Sequence, residues 1–98
     1  MSETSCRIDV WLWRARFAKS RSLAAAMVER GAVRLTHHGV QTRLDKPSRS
    51  VHVGDGLVFA LGGRLVDLTV EALGERRGPP VEARALYSAV EGEPPTGG

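Results

Sequence analysis

The segment WLWRARFAKSR, residues 11–21, places basic side chains directly among aromatic ones. Its cations are Arg14, Arg16, Lys19 and Arg21. A solvated helix face usually carries acids among its cations, yet no carboxylate occurs between Asp9 and Glu29. Two explanations follow: the basic surface is fortuitous, or something anionic binds to it.

More cations follow in the next part of the chain. The pattern places Arg34 on the outer face of a strand, and Arg43, Lys46 and Arg49 in a polar loop. A helix end and a basic loop on the same side of the molecule could follow a phosphate backbone. Hydroxyls and exposed backbone amides would add hydrogen bonds, and the hydroxyl candidates are Ser20, Ser22 and Ser48.

The charge is unevenly distributed over the 98 residues, although the net charge is only +3. Residues 7–49 hold ten cations and three acids, whereas residues 50–98 hold four cations and seven acids. Twelve of the fourteen cations are arginine, whose planar guanidinium suits bidentate phosphate contacts. The first half is therefore a basic module, which favours a nucleic-acid partner over the alternative of a solvated basic surface.

Catalytic motifs are absent from the sequence. It contains no Walker loop, no GxGxxG and no nucleophile elbow, and the GDG at 54–56 is typical of a turn. His37 and His38 are adjacent, so a strand would point them to opposite faces, and His52 stands alone. We therefore expect exposed turn histidines, no metal, no cofactor and no enzymatic activity.

The single cysteine, Cys6, rules out an internal disulfide and fits a reducing compartment. No apolar run approaches the length of a membrane span, and the N-terminus MSETSCRID has no signal-peptide pattern. The sequence thus predicts a cytoplasmic protein.

Two short helices are predicted first. Asp9 fits the first turn of a helix that runs to about Phe17 and is apolar on two faces. Ser20 is a suitable N-cap for a second helix, which ends at Gly31. The apolar stripe of this second helix would consist of Leu23, Ala24, Met27 and Val28.

From Val33 onward the apolar period changes to two, which predicts strands. HHG at 37–39 supplies a turn, 41–50 reads as a polar loop, and Gly62-Gly63-Arg64 indicates a hairpin. A last short helix starts at Pro79 or Pro80 and carries Val81, Ala85 and Leu86. The predicted organisation is a flexible leader (1–6), one domain (7–87) and a disordered tail (88–98).

Several motifs hold their mutual spacing in a known pattern. They are Arg7-Ile8-Asp9, Leu12, Phe17, Lys19-Ser20-Arg21, Ala24, Gly31-Ala32-Val33, Lys46-Pro47-Ser48 and Val53-Gly54-Asp55. Over about residues 7–60 this pattern resembles the RNA-binding domain of the ribosomal protein S-four type, the alpha-L motif. WLWRARFAKSR and the later ERRGPPVEARALY resemble the ribosome-associated heat-shock protein fifteen group within that superfamily.

The resemblance implies an α+β fold in which two short helices pack on a small, mostly antiparallel sheet, with a short C-terminal helix added. It implies binding to structured RNA, and association with free large ribosomal subunits in their rescue or recycling after heat stress. Motif positions make Arg16, Lys19, Arg21, Lys46 and Ser48 the first contact candidates. Five more rest on charge and location: Arg7, Arg14, Arg34, Arg43 and Arg49.

The expected mechanism is recognition of RNA shape through phosphates, because side chains cannot enter the deep major groove of A-form RNA. We expect a monomer that binds neither DNA nor membranes; a basic module for an acidic protein, or a general RNA-binding accessory factor, is the alternative. Trp11 should lie in the core. Trp13 either packs under Leu86 and Tyr87 or stacks on an unpaired base, and Asp9 is expected to pair with a cation such as Arg21.

Overall fold

The structure is a computed structural model that describes residues 5–89. In chain order its elements are β1 (Ser5–Arg7), α1 (Ile8–Arg14), α2 (Arg21–Glu29), β2 (Val33–His37), β3 (Val40–Arg43), β4 (Ser50–His52), β5 (Gly56–Leu61), β6 (Arg64–Val70), α3 (Pro80–Arg84) and β7 (Tyr87–Ala89). None of the helices within the described range is long and apolar enough to cross a membrane.

The strands form two antiparallel sheets. The larger one has the strand order β3-β2-β5-β6-β7, and β1 pairs with β4 in a two-stranded ribbon. The helices and the inner face of the larger sheet enclose one apolar core. The predicted α+β class is confirmed, with two short helices on a mostly antiparallel sheet and a third short helix near the C-terminus.

Helix α1 is shorter than the sequence predicts, because the chain leaves the helix at Arg16. Arg16 has a φ of 66°, its amide donates to the Trp13 carbonyl at 3.1 Å, and the Phe17 amide donates to the Leu12 carbonyl at 2.9 Å. These two bonds form a Schellman motif, in which a glycine usually takes the left-handed position. The helix therefore ends at Arg14 rather than near Phe17.

Helix α2 confirms both of its predicted ends. The Ser20 side chain accepts a hydrogen bond from the Leu23 amide at 3.1 Å, and Gly31 after the helix has a φ of 75°. Ala24, Met27 and Val28 are buried, but Leu23 is 52% exposed. Leu23 was wrongly placed in the stripe, because it lies about 90° around the helix from the stripe's centre at 100° per residue.

Two tight hairpins order the larger sheet. His38 and Gly39 join β2 to β3, and Gly62 and Gly63 join β5 to β6; all of them have positive φ values. Such two-residue connections match the strand twist best when both residues are left-handed. The prediction of a loop over 41–50 is wrong at both ends, since residues 41–43 lie in β3 and Ser50 lies in β4. The edge strand β3 is exposed and so shows no apolar alternation in the sequence.

The core is centred on Trp11, which has no exposed surface, as the sequence predicts. Its ring lies 6.2 Å from the ring of Phe17 and 6.4 Å from that of Tyr87, and Phe17 meets Phe59 edge to face at 5.1 Å. Leu44 is also fully buried, although it belongs to the predicted polar loop. The aromatic contacts join α1 to the sheet and to the C-terminal strand.

The ends of the described range differ from the sequence prediction. Ser5 and Cys6, assigned to a flexible leader, lie in β1 opposite His52 and Val51. Ser88 and Ala89, assigned to the tail, lie in β7 opposite β6. The remainder of the leader and of the tail, 1–4 and 90–98, lies outside the described residues.

We expect the replacement Ser20→Ala to lower the free energy of unfolding by about 1 kcal/mol, because the first turn of α2 loses its capping oxygen. Urea denaturation followed by tryptophan fluorescence measures this loss. Ser22→Ala is the matched control on the exposed side of the same turn and should be neutral within about 0.5 kcal/mol. Equal effects of both replacements would contradict the capping role.

Candidate nucleic-acid interface

The side of α1 is bonded to the backbone of residues 72–78, which we call the strap. The Trp11 indole N–H donates to the Ala72 carbonyl at 2.9 Å. Arg14 Nη1 donates to the carbonyls of Leu73, at 3.3 Å, and Gly74, at 2.9 Å. An irregular segment without sheet partners thereby satisfies its backbone acceptors through helix side chains.

Two further arginines complete this connection, one from each side. Arg16 Nε donates to the Gly78 carbonyl at 2.7 Å. In the opposite direction, Arg77 Nε donates to the Trp13 carbonyl at 3.2 Å, and its guanidinium lies 6.0 Å from the centre of the Trp13 ring. Charged donors make stronger hydrogen bonds than neutral ones, so the strap is firmly held on α1.

These contacts give Arg14 and Arg16, both predicted to bind RNA, a role inside the protein. The left-handed backbone of Arg16 and its bond to Gly78 fix the direction of its side chain. The Arg14 guanidinium is half-buried and already holds two carbonyls. Both remain contact candidates, but part of their donor capacity is used within the protein.

The sequence left two alternatives for Trp13: packing under Leu86 and Tyr87, or stacking on an unpaired base. In the structure it is half-buried and carries the Arg77 guanidinium over its ring. The tryptophan that meets Tyr87 is Trp11. Arg77 was missed as a partner of α1, since nothing in the local pattern of GERRGPP connects it to a helix about sixty residues earlier.

The loop of residues 46–49 closes the other end of α1. The Ile8 amide donates to the Arg49 carbonyl at 2.8 Å, and the Asp9 amide donates to the Pro47 carbonyl at 3.3 Å. The helix start therefore satisfies its free amides with this loop. Three predicted contact residues, all exposed, are thereby held beside β1 and the start of α1: Lys46, Ser48 and Arg49.

Arg7 lies at the same end but already has a carboxylate partner. Its Nε and Nη2 atoms bond the two carboxylate oxygens of Asp9 at 3.0 and 2.9 Å. The hydrogen bond and the negative charge of Asp9 raise the pKa of the Arg7 guanidinium above its ordinary value. Asp9 occupies the helix start as predicted, but its partner is Arg7 and not Arg21, because the short β1 strand brings Arg7 alongside.

Lys19 and Arg21 flank Ser20 at the start of α2, and both side chains are exposed. The first turn of α2 contains no acid, so the positive end of the helix dipole and these two cations reinforce one another. This end of the helix is therefore suited to an anion.

Arg34 and Arg43 lie directly opposite each other on β2 and β3. Both side chains are exposed, and the Arg43 side chain also passes over Gly31, where an added Cβ would lie 3.5 Å from its Cδ. Like charges at directly opposed positions of a sheet repel each other. An anion over this pair would remove the repulsion.

Within residues 5–89, arginine–carboxylate ion pairs form at Arg7–Asp9 and Arg76–Glu82, and the carboxylate of Asp55 faces His37 and His52. Arg16 is also exposed, but it bonds the Gly78 carbonyl. The remaining exposed cations predicted to contact RNA have no carboxylate within salt-bridge distance in this part of the chain. They are Lys19, Arg21, Arg34, Arg43, Lys46 and Arg49. The structure thus separates candidates with protein partners from candidates that face solvent.

The sequence predicts exposed turn histidines, and this is correct for His38 but not for His37 and His52. His37 Nδ1 lies 2.5 Å from Asp55 Oδ1, and His52 Nδ1 lies 3.6 Å from Asp55 Oδ2. His37 and His52 are half-buried, while Asp55 is almost completely buried. The left-handed turn at His38 also breaks strand alternation, so the rings of His37 and His38 stack at 3.9 Å.

Comparisons with known proteins agree with this architecture. The S4 domain family model matches residues 6–35. The solved structure described as the trimeric structure of Vibrio cholerae heat shock protein 15 is 36% identical, with a TM-score of 0.77, over 89% of this chain and 83% of that one.

Curated relatives point in the same direction. The heat shock protein 15 homolog of Haemophilus influenzae is 40% identical over 93% of this chain and 66% of its own length. Heat shock protein 15 of Escherichia coli K12 is 41% identical over 83% of this chain and 57% of its own length. The chain therefore spans about six tenths of these proteins. The RQC P-site tRNA stabilizing factor of Listeria monocytogenes is 31% identical over 92% of this chain and 91% of its own length.

If Arg14 holds the strap, Arg14→Met should lower the free energy of unfolding by about 1.5–3 kcal/mol, because it removes charged donors from two carbonyls while keeping the aliphatic stem. Urea denaturation monitored by tryptophan fluorescence provides the measurement. Arg21→Met, on an exposed arginine without a protein partner, should change stability by less than about 0.5 kcal/mol. Equal stabilities of the two variants would show that the strap does not depend on Arg14.

Proposed function

The chain belongs to the heat shock protein 15 family of S4-domain proteins, and we propose that it binds structured RNA of the ribosome. The observation that carries this proposal is the set of exposed cations that have no carboxylate partner within residues 5–89. In a protein of mixed composition such cations would ordinarily pair with acids or be spread evenly. Here they belong to the basic half of the chain and lie at three places, which we call the contact segments. These are the start of α2, the loop of residues 46–49, and the opposed positions of Arg34 and Arg43 on β2 and β3.

Each segment offers phosphates a different kind of contact. The start of α2 combines Lys19 and Arg21 with the helix dipole. Residues 46–49 carry Lys46 and Arg49 with the hydroxyl of Ser48 between them. Arg34 and Arg43 form a pair of planar guanidinium groups, which can each grip a phosphate through two donors.

Recognition of this kind reads the shape of an RNA rather than its bases. Phosphate contacts fix the orientation of a protein on a helix or junction but carry no direct sequence information. A short helix start and a rigid loop suit the phosphates that line the shallow minor groove of A-form RNA. We infer that the ligand is a folded RNA stem or junction, and that the protein acts by binding and not by catalysis.

For the biological role, we propose association with the large ribosomal subunit in the rescue or recycling of stalled subunits, in the cytoplasm and after heat stress. The names of the relatives support this, since one is a P-site tRNA stabilizing factor and others are heat shock proteins. Action as a monomer stays a prediction, and the trimeric Vibrio cholerae structure supplies the alternative that sedimentation of this chain would test.

Binding to ribosomal RNA should depend steeply on salt. If four to six phosphates are neutralised, log affinity should fall with log salt with a slope of about −3 to −5, because bound counterions are released. Fluorescence titration of purified large subunits from 50 to 300 mM potassium chloride measures the slope. A slope near zero would show that phosphate contacts do not drive the association.

The double variant Lys19→Glu with Arg21→Glu should bind large subunits at least about tenfold more weakly at moderate salt, because two phosphate contacts become repulsive. Co-sedimentation with purified subunits gives the bound fraction. Both side chains are exposed, so circular dichroism should show an unchanged fold.

Arg64→Glu with Arg84→Glu is the matched control, since it makes the same change in net charge at exposed arginines outside the three contact segments. It should retain most of the binding. Equal loss in both double variants would mean that overall charge, and not this surface, controls the association. Normal binding by the first variant would exclude the start of α2 from the RNA contact.

A further inference from the structure

A second polar cluster lies where β2 ends and where β4 leads into β5. His37 is the last residue of β2, His52 is the last residue of β4, and Asp55 immediately precedes β5. One ligand atom from each of these three residues lies within 4.8 Å of the others. Antiparallel pairing of β2 with β5 brings these distant positions of the sequence together.

The backbone holds the carboxylate of this cluster in place. Asp55 Oδ2 accepts the His52 amide at 2.8 Å, and the Asp55 side chain is only 4% exposed. The backbone of Asp55 is also fixed, because its amide donates to the His52 carbonyl and its carbonyl accepts the Val70 amide. A ligand oxygen is therefore presented by a rigid turn, which limits the reorganisation that binding would require.

One ring nitrogen of His52 is not accounted for by hydrogen bonds within the described part of the protein. Its Nδ1 atom is buried and has no hydrogen-bond partner among residues 5–89, although Asp55 Oδ2 lies 3.6 Å away. Buried ring nitrogens are normally bonded, so an unpartnered one calls for an explanation. A cation between this nitrogen and the carboxylate would provide the missing partner.

The donor set fits a divalent transition metal. Two imidazole nitrogens and one carboxylate oxygen are ligands that Zn²⁺ accepts, at about 2.0–2.2 Å each. Ligand atoms around such an ion lie roughly 3.3 Å apart. His37 must therefore move away from Asp55, at 2.5 Å, and the ligand atoms that are now up to 4.8 Å apart must come closer. Small side-chain rotations of two half-buried histidines achieve both movements.

We propose that His37, His52 and Asp55 form a binding site for a divalent transition-metal ion, with Zn²⁺ as the fitting ion. Three protein ligands leave a fourth coordination position open, which water fills in such sites. The side chains of His37 and His52 are 38% and 39% exposed, which gives the ion a path from solvent. His38 stacks on His37 and supports its orientation without being one of the three ligands.

Bound metal would tie the end of β2 to the turn between β4 and β5. Because His37 meets His52 and Asp55 only in the folded chain, an ion held by all three should stabilise the fold by mass action. The site lies outside the three contact segments and does not require RNA. Its existence is therefore independent of the proposed function.

The test is titration of the tag-free chain with Zn²⁺ in competition with a chromophoric chelator. We expect one ion per chain and an increase in the melting temperature that a stronger chelator reverses. His37→Gln and His52→Gln should each weaken Zn²⁺ binding at least about 100-fold, because loss of a direct ligand costs at least as much as loss of an outer-shell partner. Glutamine keeps a polar group of similar length, so the variants should fold.

His38→Gln is the matched control, because His38 is exposed and contacts the cluster only by stacking. It should bind Zn²⁺ within a few-fold of the unmodified chain. Cys6→Ser should also retain binding, which would exclude the thiol as the ligand. No uptake by the unmodified chain, or uptake that survives both glutamine replacements at His37 and His52, would overturn the proposal.

Discussion

The attachment of the strap to helix α1 is the constraint on which the rest of the molecule depends. A helix of seven residues is far too short to be stable alone, so α1 must be held by tertiary contacts. Trp11 holds α1 through apolar contacts in the core, and its indole N–H also donates to the Ala72 carbonyl. Arg14, Arg16 and Arg77 supply charged bonds on either side. The loop of residues 46–49 then closes the start of the helix.

This attachment divides the cations of the basic half into two sets. Arg14 and Arg16 lie beside aromatic rings because they reach the backbone of the strap, which answers why cations and apolar side chains alternate along this helix. Within residues 5–89, the contact candidates Lys19, Arg21, Arg34, Arg43, Lys46 and Arg49 make no such bond to the backbone. Within residues 14–21, two arginines thus stabilise the attachment of the strap, while Lys19 and Arg21 present their charges to solvent.

Short-range sequence signals correctly predicted the ends of α2 and the turn between β5 and β6. Ser20 and Gly31 bracket α2, and the paired glycines of the β5–β6 hairpin enforce its turn, because these effects act over a few residues. The end of α1 was missed, since an arginine takes the position where the pattern would need a glycine. Leu44 was missed because a single apolar residue in a polar loop has no periodicity.

The sequence also pointed to the basic side chains, but it did not show which of them bond to the backbone of the protein itself. The bonds from Arg14 and Arg16 to the strap cross about sixty residues, and no local pattern encodes such pairing. The meeting of His37, His52 and Asp55 follows from strand register, which a one-dimensional alternation of faces does not reveal. Family resemblance supplied the fold and the expectation of an RNA ligand, and the geometry shows which arginines already bond within the described residues.

Ultraviolet cross-linking of the chain to large ribosomal subunits, with mass spectrometry of the cross-linked peptides, identifies the residues that contact RNA. We expect RNA adducts on peptides that contain residues 19–22 and 46–49, and none on the strap. These peptides can be compared in one digest, so each sample contains its own control. Adducts concentrated on residues 72–78, or an absence of RNA adducts under conditions where the chain co-sediments, would contradict the account.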